Sequence, residues 1–200
     1  MTIKKALATA LVAALSTGAN AATFHFTGNL ASHNDVITTA FTVGQNATNV
    51  RVWTDSYLSG TNFDPITALW NATTGALIAQ NDDNPNIAAG QTSYDSGFLL
   101  ATLAAGDYLF TVTPYANFVP SNANYYTDPG FAYAAETPIP LSQWCQPFSH
   151  CNMGTNWSVW VDGVTSATNP HSTVPEPISM ALAGTGLAAL ALNRRSKRAA

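Results

Sequence analysis

Positive charge is nearly missing from the interior of this chain. Of seven Lys and Arg residues in 200 positions, Lys4 and Lys5 stand at the start, and Arg194, Arg195, Lys197 and Arg198 at the end. Arg51 alone lies between them. Ten of the eleven acids fall in that same interior, so residues 22–173 carry a formal charge of −9. A body with one cation cannot neutralise a row of phosphates, which excludes nucleic acid as a partner. Cysteine is scarce too, with only Cys145 and Cys151. The two most apolar runs, residues 6–15 and 178–192, both fall short of the roughly 20 residues that span a bilayer comfortably. None of the four histidines (His25, His33, His150, His171) sits in an H-E-x-x-H pattern. A G-x-S-x-G elbow and a glycine-rich phosphate loop are missing as well, so the expectation is a protein that is not an enzyme.

What is present at the two ends reads as targeting rather than fold. Lys4 and Lys5, the apolar run of residues 6–15, and Ala19-Asn20-Ala21 in A-x-A order make the three parts of a secretory signal, residues 1–21, removed by signal peptidase. An apolar first helix of the fold is the other reading, and it leaves the small-residue exit without a purpose. The far end runs Val174-Pro175-Glu176-Pro177, then the apolar residues 178–192, then a basic stop of Arg194, Arg195, Lys197 and Arg198. Proline disfavours helix just before itself, so the approach stays extended, and Pro177 is placed to open the helix that follows. Fifteen residues give about 22 Å of helix at 1.5 Å per residue. That is a marginal transmembrane helix for a roughly 30 Å hydrocarbon core, helped by arginines that snorkel. Basic ends inside and an acidic body outside satisfy the positive-inside rule. Residues 22–173 remain, enough for one domain with a real core.

The body alternates instead of following a helical period. Phe24 and Phe26 share a face, as do Ile37, Thr39, Phe41 and Val43, and Val50 and Val52 begin another strand. Residues 66–71 and 76–81 flank a short Gly-containing turn and predict a hairpin. The run Asn81 to Asn86 (NDDNPN) is a loop signal. Tyr108, Phe110 and Val112 alternate in a later strand, and Trp157, Val159 and Val161 in the last. Eight or nine short strands predict an all-β fold, an antiparallel β-sandwich of jelly-roll-like kind, flanked by a signal helix and a transmembrane helix. Between residues 115 and 144 the pattern lapses, which predicts a long loop or irregular excursion.

Three groups of residues carry candidate chemistry. In an oxidising compartment Cys145 and Cys151 pair as a disulfide closing a short loop; with His150 they also make an incomplete metal set, short of four zinc ligands. Asp64, Asp82 and Asp83 offer the hard oxygens that calcium selects, against the plainer reading that Asn and Asp are there for turns. Five tryptophans, at 53, 70, 144, 157 and 160, raise sugar stacking, against burial in a sandwich core. Trp53, Trp144 or Trp160 side by side on one surface would favour the sugar.

The tail, with VPEP at 174–177, an apolar span and RRSKR at 194–198, resembles the PEP-CTERM sorting domain. That resemblance implies recognition by an exosortase, a membrane-embedded protease or transpeptidase. It implies a protein held at the inner membrane with its body in the periplasm, then processed to the cell surface or extracellular matrix, with exopolysaccharide as a possible partner. Residues 63–115 resemble the bacterial pre-peptidase C-terminal domain, a β-sandwich accessory module. The places that match are Asp64, Gly75, Asn81-Asp82-Asp83, Leu103, Gly106 and Tyr108. The alternatives to a non-catalytic surface protein are a carbohydrate-binding module and, more remotely, a secreted hydrolase.

Overall fold

The structure, a computed structural model, describes residues 21–120, 130–147 and 150–170. The expected transmembrane helix, the sorting motif and all of the expected signal but Ala21 lie outside the described residues. Among the described residues nine strands occur in chain order: β1 (Ala22–Asn29), β2 (Ile37–Val43), β3 (Ala47–Thr54), β4 (Pro65–Asn71), β5 (Leu77–Asn81), β6 (Gly97–Leu103), β7 (Gly106–Pro114), β8 (Asn156–Val164) and β9 (Ser166–Thr168). Only two single-turn 3-10 helices, Leu58–Gly60 and Leu141–Gln143, interrupt this all-β chain among the described residues. The predicted alternation holds: in β2 every second residue is buried, beginning with Ile37, and in β8 Trp157, Val159 and Val161 face inward. β1 starts at Ala22, the residue after the expected cleavage point.

The strands form two sheets, in the orders β1-β8-β3-β6 and β5-β4-β7-β2-β9. Every strand pairing is antiparallel. The β4–β5 hairpin appears as predicted, with a register shift after Leu69. Elsewhere, through β9, consecutive strands lie in opposite sheets. Pairings such as Val43 with Gly106, Asn71 with Tyr108 and Ala22 with Val164 set one end of the sandwich, where the connections are short turns. Asn29 with Asn156, Ile37 with Val112 and Pro65 with Pro114 set the other end. All the long connections gather there: residues 30–36, 55–64, 82–96 and 115–155. Function concentrates where loops cluster on a rigid frame, so this is the end to inspect.

The inner faces interdigitate as two half-buried surfaces should. Phe26, Val50, Val52, Val159 and Val161 of the first sheet and Phe110, Val112 and Leu69 of the second are fully buried in one cluster. Phe98 of β6 meets Phe110 of β7 edge to face at 6.3 Å, joining the sheets. Of the predicted excursion after β7, the described residues 115–120 and 130–144 hold no strand, and they have a packing role. Val119 and Phe131 pack on Ala68 and Trp70 in a second apolar cluster, on the outer face of the second sheet. The segment then returns along the β1–β2 connection, where His33 N–H donates to the Ile139 carbonyl and Leu141 N–H to that of Ala31.

Candidate functional site

At the long-loop end, Asp64 stands immediately before β4, while Asp82 and Asp83 follow β5. The β4–β5 hairpin folds these two places onto one edge. Oxygens from the three carboxylates all lie within 4.8 Å of one another. Asp64 is 6% exposed, and its Oδ1 has no hydrogen-bond partner. Oδ1 of Asp82 is also buried without a partner. Burial, then the charges of Asp83 and Asp82, push the Asp64 pKa up to about 8 against the opposing hydrogen bond from Gln146. Burial raises Asp82, with Asp83 adding to it, and burial raises Asp83. Such upward shifts report carboxylates taken out of water first and crowded by like charge second.

Gln146 brackets Asp64 from the opposite side of the sequence. Its Oε1 accepts the Asp64 backbone N–H at 3.2 Å, and its Nε2 donates to Asp64 Oδ2 at 3.3 Å. The disulfide between Cys145 and Cys151 fixes the loop that presents it, and Gln146 N–H donates to the His150 carbonyl at 2.8 Å. Both sulfurs are thereby bound to each other, which removes the metal reading of Cys145, Cys151 and His150. Asp95, just before β6, shows how this fold treats a buried acid with no other duty. It is fully buried, and its oxygens accept from Tyr57 N–H, Thr54 Oγ1, Thr92 N–H and Thr92 Oγ1. Asn81 and Asn84 turn away from the acids, and both donate to the Gly97 carbonyl.

A second feature lies beside it on the first sheet. His25, Trp160 and Trp53 stand in register across β1, β8 and β3 with rings nearly parallel. Their centroids are 3.8 Å apart for His25–Trp160 and 5.8 Å for Trp160–Trp53. Trp53 and Trp160 therefore do share one surface, but both faces of Trp160 are covered by its neighbours, while Trp144 packs into the core beside His33 and Tyr133. Next to this stack a cleft of about 480 Å³ is lined by Asn29, Asp55, Ser56, Asn62, Asn156 and Trp157, among others. Ser158 Oγ and His25 Nε2 are 2.8 Å apart. The nearby carboxylate does not orient that imidazole: Asp55 Oδ2 accepts from Trp160 Nε1 at 2.8 Å. A serine–histidine contact on a flat sheet without its third member is not a triad.

The sequence named all three acids that the fold brings together. It missed Gln146, which lies 82 residues from Asp64 and carries no charge to draw notice. It also missed Asp95, whose position just before a strand repeats that of Asp64.

Among protein families, the PEP-CTERM protein-sorting motif matches residues 173–195. That match does not extend to residues 63–115, and the pre-peptidase resemblance there gains no support from it. No curated protein and no solved structure matches the chain.

Proposed function

We propose that this chain is an exported, non-catalytic surface or matrix protein that an exosortase sorts through its tail. The carrying observation is the PEP-CTERM motif at residues 173–195, which implies a membrane-anchored precursor that is cleaved. The body supports the reading. It is strongly acidic, as suits the outer side of a membrane, and Cys145 is held in a disulfide rather than kept as a nucleophile. The strand orders 1-8-3-6 and 2-7-4-5 fit a jelly-roll, and the likeness of residues 63–115 to accessory β-sandwich modules points the same way.

Glu176 is the recognition group in this reading, because nothing in the physics of anchoring needs an acid there. Replacing Glu176→Ala leaves insertion intact and blocks release, so full-length protein accumulates in the inner membrane. Wild-type protein made with the cognate exosortase appears outside the cell, and its intact mass shows loss of Arg194 to Arg198. Wild-type protein that keeps Arg198 and stays in the membrane would make the tail an ordinary anchor.

The polar cleft favours a second reading, a carbohydrate-binding module of the surface polysaccharide. Its amide and carboxylate lining around an indole is the kind of surface that sugar hydroxyls use. Calorimetry with the host exopolysaccharide, with and without Asp55→Ala, tests it: heat that the variant abolishes supports the module.

A further inference from the structure

We propose that Asp64, Asp82 and Asp83 form a calcium site that clamps the start of β4 to the β5–β6 connection. The ligand set is all oxygen, and three carboxylate oxygens already lie within 4.8 Å of one another. Turn chemistry alone does not account for this. In the same loop Asn81 and Asn84 spend their side chains on the Gly97 carbonyl, whereas the acids point into the cluster. Asp95 shows that the fold supplies a full set of donors to a buried carboxylate when hydrogen bonds are to satisfy it. Asp64, more than nine-tenths buried, is left with Oδ1 bare, and Asp82 Oδ1 is bare beside it. Buried polar atoms without partners mark a place where a partner belongs. Among the described residues no lysine or arginine answers: Arg51, the body's single Lys or Arg, holds Asp162 at 2.6 Å on the outer face of the first sheet.

The choice among cations follows from geometry. Calcium accepts six to eight oxygens in irregular arrangements at about 2.3–2.6 Å, whereas magnesium demands a near-ideal octahedron at about 2.0–2.1 Å. Ligands drawn from a strand start and a loop two strands away suit the first better than the second. Asp83 is exposed and gives the ion a route in from solvent, with water completing the shell. Sites of this kind on exported modules bind at roughly 10⁻⁴–10⁻³ M, so the ion is taken up after export rather than in the cytoplasm.

The test uses the full chain purified in detergent and stripped with chelator. Calorimetric titration with calcium chloride gives one saturable site in that affinity range, and the melting temperature rises with calcium as mass action on the folded state requires. Magnesium chloride at equal concentration gives no more than charge screening. The variant Asp82→Asn with Asp83→Asn keeps the far-ultraviolet spectrum and loses both calcium responses. Terbium supplies a measurement on the wild type alone. Tyr57, close enough to feel the charges of Asp64 and Asp83, sensitises its emission, and calcium displaces it. Equal melting shifts with the two ions, no saturable heat, or a calcium response that survives in the folded variant would overturn the site.

Discussion

His25 stacks on Trp160, and that contact gives one side chain control over part of the pH response. Burial lowers its pKa from 6.5, with the charge of Asp55 opposing. The unfolded chain therefore takes up the proton first. Stability from this group is complete above about pH 6.5 and falls as the pH drops from there through the lower folded value. Urea midpoints measured from pH 7.5 to 5 show a decline that His25→Gln flattens; an unchanged slope would show that the imidazole is not linked to folding. Asp162 acts at lower pH. Burial raises its pKa, but hydrogen bonds from Thr23 and Arg51 and the charge of Arg51 outweigh that and leave it lowered. Its contribution is present above the ordinary carboxylate range and is lost only as pH falls through the folded value. Gly97 is a backbone case, with φ of +147° and the Val52 carbonyl where a side chain would begin. Gly97→Ala is expected to destabilise by about 2 kcal/mol or more, read from denaturant midpoints. Because the Gly97 carbonyl anchors Asn81 and Asn84, the same variant disturbs the loop that carries Asp82 and Asp83.

Strands were legible in the sequence because a period of two is written locally, in runs such as Ile37–Val43. Their partners were not, except in the β4–β5 hairpin, where the turn fixes the neighbour. β6 and β7 are separated by two residues yet belong to different sheets, and nothing in a short turn announces that. β9 is three residues long, below the reach of any alternation argument. The acids of the candidate site were legible because they crowd one loop. Gln146 was not, because only the folded chain brings it to Asp64. The disulfide beside it makes a prediction at this scale. Mass spectrometry after alkylation without reductant finds both sulfurs blocked to the reagent. Replacing Cys145→Ser and Cys151→Ser costs about 2 kcal/mol by the chain-entropy estimate for so short a loop. The sandwich stays folded while residues 144–153 loosen, and calcium affinity falls as Gln146 loses its placement. Affinity that is unchanged in that variant would separate the loop from the acids.

At the scale of the whole molecule, the body has one worked end and one plain end. Short turns close the end near Ala22 and Val164, and the long connections, acids, cleft and disulfide share the other. The excursion over the second sheet is part of the fold's support. Trp70 is fully buried under it, touches Phe131 edge-on at 6.1 Å and donates Nε1–H to Thr111 Oγ1 at 3.0 Å. Phe131→Ala removes that cover and is expected to cost about 3–5 kcal/mol in full, less where the loop collapses into the space. Hydrogen exchange then speeds at the outer face of β4 while β1, β3 and β8 keep their protection. A uniform loss across both sheets would mean that the cover is not a separate cluster.

On the proposed export route, the pairing of β1 with β8 sets a schedule for folding. Residue 22 finds its partner at residue 164, so β1 has no neighbour in its sheet until nearly the whole body is out. Only eight residues separate that partner from the start of the sorting motif at 173. The second sheet can pair β2, β4, β5 and β7 by residue 114, but β1 and β3 stay apart until β8 is out to lie between them. If the tail is held at the membrane as proposed, the last strand of that sheet arrives at about the moment the tail does. On that proposal, completion of the fold and presentation of the tail for cutting coincide, ordered by topology without any signal passing between them.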